Sequence, residues 1–64
     1  MNYVQLNCEP IINGQIMSTW VDIIDISNNI ATVNISNAES VTYKIDIVNN
    51  DVEGSIQQYF QQFC

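Results

Sequence analysis

DISNNIATVNISNAESVTYKIDIV, residues 25–48, is the stretch whose reading decides the fold. Asn28-Asn29 tolerates the positive φ that both central positions of a type I′ turn require, so it predicts a two-residue hairpin loop. That loop sets Ile26 opposite Ala31 and Ile24 opposite Val33, apolar against apolar. Farther on, Asn37-Ala38-Glu39 offers a three-residue loop that sets Ile35 opposite Val41, Val33 opposite Tyr43 and Ala31 opposite Ile45, all on one face. Slipping it by one residue would bring Val33 against Lys44. The last strand alternates: Val41, Tyr43, Ile45 and Ile47 turn inward, and Thr42, Lys44 and Asp46 outward.

Upstream, Asn13-Gly14 is the strongest short hairpin signal in the chain and joins a strand near Tyr3 to Ile12 with one near Gln15 to Ser27. On that second strand Trp20, Ile24 and Ile26 are expected to point one way, and Val21 and Ile23 the other. An uninterrupted first hairpin puts Leu6 against Val21 and Val4 against Ile23. A bulge at Glu9-Pro10, where proline's missing N–H does no harm, would instead move Leu6 opposite Trp20.

Downstream the period changes from 2 to 3.6, because Val52, Ile56, Tyr59, Phe60 and Phe63 make one helical stripe. Asn50 is the expected N-cap, with Glu53 in the capping-box position and Asp51 and Glu53 at the positive end of the helix dipole. Gln57, Gln58, Gln61 and Gln62 form the outer side. The expected fold is therefore α+β: one domain over residues 1–64, a four-stranded antiparallel meander packed by a C-terminal amphipathic helix.

An apolar content of 47% with eleven isoleucines argues against disorder. At 64 residues, however, the chain is near the lower limit for a self-sufficient core. Seven carboxylates face one cation, Lys44, and the net charge is −6 at pH 7. Only 12% of residues are charged, against about 25% in an ordinary globular domain, so the acidity comes from missing cations. Such a chain cannot neutralise phosphates, which disfavours direct binding to nucleic acid or an anionic membrane and favours a basic protein partner. No apolar run approaches the length of a membrane span, and there is no signal-like segment. Cys8 and Cys64 lie at opposite ends and are expected to be free thiols in a cytoplasmic protein.

Catalysis is not expected, since the chain has no histidine and no paired nucleophile and base. Asp22 and Asp25, three apart on a strand, point to opposite faces unless a bulge lies between them. No cofactor is expected, and residues 49–53 read as a helix start, not a metal site. Asp22 breaks the pattern, because on the inward face it would sit opposite Ile35. It is either solvated at the open end of the sheet or held for a partner's lysine or arginine. Asp25 and Asp46 on the outer face, with Glu39 in a loop, are the other candidates for a charged contact surface. Val21, Ile23 and Val48 are expected to be left as uncovered apolar surface and to form a homodimer interface.

Size and composition resemble those of the accessory inhibitors encoded by phages and mobile elements, some of which occupy basic nucleic-acid-binding surfaces of host proteins. That resemblance covers no motif. The expected function is a small protein-binding inhibitor or regulator that sets an acidic face against a basic host surface. The competing expectation is a homo-oligomeric structural or assembly subunit working through apolar sheet surface and strand edges.

Overall fold

The computed structural model describes residues 2–64. Three strands follow the hairpin logic of residues 25–48: β4 (Trp20–Ser27), β5 (Ile30–Ile35) and β6 (Ala38–Asp46). With β1 (Asn2–Gln5) they form a four-stranded antiparallel sheet in the order β1-β4-β5-β6. A two-stranded ribbon, β2 (Ile11–Ile12) and β3 (Gln15–Ile16), is inserted between β1 and β4, and one helix, α1 (Val52–Gln61), closes the inner side. None of the described helices is long and apolar enough to cross a membrane.

Asparagine makes the turns. Asn13, Asn28 and Asn29 have φ between 54° and 60°, and Gly14 has φ 78°, the left-handed values a type I′ loop needs. Asn49 and Asn50, both at φ 56°, repeat the device, and Asp51 N–H donates to the Val48 carbonyl across them at 3.0 Å. This extra turn moves the helix start on by one residue. The N-cap is Asp51, not Asn50, and its carboxylate accepts from Gly54 N–H at 2.9 Å.

The core lies between the sheet and α1. Val4, Val21, Ala31, Val33, Ile35 and Ile45 line it from the sheet, and Ile56 and Phe60 meet them from the helix. Tyr43, Tyr59, Phe60 and Phe63 stack edge-to-face and tilted around the helix, as the expected stripe requires. Val33 pairs with Tyr43, Ala31 with Ile45 and Ile26 with Ala31.

Other registers differ from expectation, each for a local reason. Ile23, not Ile24, lies opposite Val33, because a bulge at Ile24 absorbs one residue between Ile23 and Asp25. Everything on β4 before the bulge is thereby reversed: Val21 is wholly buried in the core, while Trp20 is half exposed on the outer face. Val21 therefore cannot contribute to a dimer surface. The β5–β6 loop tightens to Ser36-Asn37, with Ile35 opposite Ala38, and a bulge beyond it leaves Val41 exposed instead of facing Ile35.

The first strand takes neither expected register. Val4 lies opposite Val21, and Leu6 N–H donates to the Thr19 carbonyl at 2.7 Å. The chain then leaves the sheet as the β2–β3 ribbon, fastened by Met17 N–H to the Pro10 carbonyl and by Ile11 N–H to the Phe63 carbonyl, both at 2.8 Å. Leu6, Pro10 and Met17, on the segments that flank the ribbon, are buried, Leu6 and Met17 as part of the main core. This fold-back carries Cys8 to the end of α1, where it is disulfide-bonded to Cys64 with a Cα–Cα distance of 5.9 Å. The cysteines are therefore not free thiols. Separation in sequence concealed a contact that only the docking of the ribbon on the end of α1 creates.

Candidate functional site

The outer face of the sheet, away from α1, holds most of the residues singled out for a charged surface. Strand alternation places Tyr3 and Gln5 of β1 there, and cross-strand pairing sets Tyr3 beside Asp22 and Gln5 beside Trp20. Asp22 in turn pairs with Asn34, and Asn34 with Thr42. One row along, Asp25 pairs with Thr32 and Thr32 with Lys44; in the next, Ser27 pairs with Ile30 and Ile30 with Asp46. The Ile24 bulge is what allows Asp22 and Asp25 to share a face.

Asp22 is thus not inward opposite Ile35, as its place on a regular strand suggested. It is half-buried on the outer face, opposite Asn34. Asp25 and Asp46 are on the expected side and exposed, and Asp25 accepts from Ser27 Oγ at 3.0 Å. Glu39 lies apart, in the β6 bulge, where its backbone carbonyl accepts from Asn34 Nδ2 at 3.1 Å. Of the residues expected at a dimer interface, Ile23 is half-buried against the core and Val48 is exposed.

Aromatic surface accompanies the carboxylates. The rings of Tyr3 and Trp20 meet edge-to-face at 6.4 Å and 86°, each about half exposed at 47%. With Ser36 they line a shallow depression. The neighbouring loops hold Trp20 in place: its N–H donates to Ser18 Oγ at 3.0 Å, its carbonyl accepts from Ser36 N–H at 3.0 Å, and Ser36 Oγ donates to Ser18 Oγ at 2.9 Å. Reading the sequence placed Trp20 on the wrong face and missed Tyr3 as its companion; the doubled isoleucine 23–24 was the available sign of a bulge.

A second concavity, an open groove of about 700 Å³, runs between β6 and the first turns of α1. Ile45 and Asp46 form one wall, Ser55, Gln58 and Tyr59 the other, and Asp51 closes one end. Ser55 is fully engaged, donating to the Asp51 carbonyl at 2.6 Å and accepting from Val48 N–H at 2.9 Å, so it is part of the scaffold. Among the described residues no group of three or more side chains is arranged to hold a metal ion.

The face can therefore do two things chemically: accept hydrogen bonds and cationic side chains on carboxylates, and offer aromatic area for burial. No family model matches the chain, and neither a curated protein nor a solved structure matches it.

Proposed function

We propose that the chain is a small non-enzymatic protein-binding module, an inhibitor or regulator, that sets the outer face of its sheet against a basic surface of another protein. One observation carries this reading: the Ile24 bulge puts Asp22 on the same face as Asp25, and that face also carries Asp46 of β6 and exposes the Tyr3–Trp20 pair. Carboxylates steer and orient a cationic partner, whereas the aromatic rings supply the desolvated contact and a cation–π site for its arginine or lysine. A basic surface used for nucleic acid has the complementary charge, in keeping with an inhibitor that occupies it.

The expected setting was a host cytoplasm, where cysteines are normally kept as thiols. The Cys8–Cys64 disulfide favours a more oxidising compartment for the working form. A homo-oligomeric assembly role has its own support in aliphatic groups left open to solvent, Ile11 and Ile16 on the ribbon and Val48 after β6, at 54%, 61% and 59% exposure.

Affinity capture from the source extract, with the native chain and with a Trp20→Ala/Asp22→Lys variant as baits, tests the leading reading. The native chain should retain a basic protein whose capture falls at least about tenfold between roughly 0.05 and 0.5 M salt. The variant should lose it. Capture that ignores both salt and substitution, or a chain that sediments only as an oligomer and retains nothing basic, would transfer the function to the assembly reading.

A further inference from the structure

We propose a second interaction surface, adjoining the outer face at Asp46 but centred elsewhere: the free edge of β6, with the groove between it and α1, accepts an extended basic peptide of another protein as a fifth strand. β6 ends the sheet and is its longest strand, at 9 residues. Just beyond it Ile47 N–H donates to the Asn29 carbonyl at 2.8 Å. By antiparallel alternation Ile45 and Tyr43 then turn their backbone groups to β5, and Lys44 and Asp46 direct theirs away from the sheet. A row of strand-pairing groups is therefore open along this edge.

The groove makes that edge more than an ordinary sheet margin. A strand added along Lys44–Asp46 would send alternate side chains over the outer face and the others into the space between Ile45 and the helix wall of Gln58 and Tyr59. Main-chain bonds would supply affinity and the groove would select side chains. Charge chooses the occupant. Asp46 and Asp51 border the groove against one cation, Lys44, and the chain carries a net −6 at pH 7. A second copy would add the same negative charge, whereas lysine- or arginine-bearing peptide removes it.

Binding of a peptide of alternating lysine and valine, as long as β6 itself, tests this, together with an N-methylated twin that keeps its side chains and charge but has no backbone donors. The twin should bind at least about tenfold more weakly, a loss equivalent to one or two hydrogen bonds. The unmodified peptide should slow amide exchange at Lys44 and Asp46. Lys44→Pro removes an outward N–H without breaking a ladder bond and also removes a repelling charge, so plain electrostatic adhesion would strengthen while strand addition weakens.

Equal binding of the two peptides, or protection confined to Trp20 and Asp22, overturns the proposal, and this comparison decides even if the proline variant does not fold. Protection of Lys44 and Asp46 that grows with protein concentration and needs no peptide would assign the edge to a second copy and overturn it as well. The Trp20→Ala chain should bind the peptide as the native one does, so failure here and failure of the outer-face reading are told apart.

Discussion

Asparagine does two kinds of work in this chain, and only one of them is visible in sequence. At positions 13, 28, 29, 49 and 50 it supplies left-handed backbone, a role that residue type and spacing announce for the first two loops. Asn34 is different: it is buried near the end of β5, where its Nδ2 donates to the Glu39 carbonyl at 3.1 Å and its Oδ1 has no hydrogen-bond partner among the described residues. Nothing in a period-2 pattern marks it, since an outward polar residue on a strand ordinarily meets water. Asn34→Asp would turn the donor into an acceptor facing that carbonyl and bury a charge, at a cost of about 2–4 kcal/mol near neutral pH. Burial raises the folded-state pKa of the new carboxyl above its unfolded value of about 3.9, so between pH 7 and 4 the folded variant binds more protons than the unfolded one. Its stability relative to the native chain should therefore recover as pH falls. Urea unfolding of both chains across that range checks it; a gap that stays constant with pH would mean that the carboxylate reaches water.

At the scale of elements, the helix and the β5–β6 pairing were legible because each repeats its signal several times. Five apolar residues on one stripe leave no other helical phase, and Val33–Tyr43 and Ala31–Ile45 support each other across one interface. β4 defeated the same logic. Val21, Ile23, Ile24 and Ile26 can serve either face, so polarity cannot say where the extra residue goes, and the choice falls to packing against β1 and α1. The outcome decides the candidate site: Asp25 and Asp46 lie after the bulge or on another strand and were read on the correct face, whereas Asp22 lies before it and was not. Removing Ile24 restores strict alternation, Val21, Ile23 and Ile26 inward and Asp22 and Asp25 outward, without changing any observed cross-strand pair. The deletion should therefore fold with the native pairing and unfold within about 1 kcal/mol of the native chain, since it discards a half-exposed isoleucine and a kink. Backbone contacts by NMR and a urea titration report both. A shifted β4–β5 register, or loss of cooperative unfolding, would show that the bulge is required by the fold and not merely accommodated.

For the molecule as a whole, the decisive contact is the one least visible in sequence. Cys8 and Cys64 are 56 positions apart, and no local pattern tells that the Asn13-Gly14 ribbon leaves the sheet to meet the end of α1. Once it does, the bond joins the loop after β1 to the last residue of the chain, beside the Ile11 N–H to Phe63 carbonyl link. Closing a loop of that length lowers the entropy of the unfolded chain by the equivalent of about 4 kcal/mol at 25 °C in the chain-entropy model. At about 0.05–0.15 kcal/mol per residue, the entire stability of a domain this small is only about 3–10 kcal/mol. Reduction, or Cys8→Ala with Cys64→Ala, should therefore remove roughly 2–4 kcal/mol and bring the fold close to its threshold. The loss should be uneven. Amides of the ribbon and of Phe63 and Cys64 should exchange first, while those of β4 and β5, held on both sides by neighbours, should keep the global protection. Urea titrations with and without reductant, paired with exchange measurements, check both parts. If the reduced chain unfolds within about 0.5 kcal/mol of the oxidised one, the burial of Leu6, Pro10 and Met17 on either side of the ribbon is sufficient by itself, and the bond has little part in stabilising the fold.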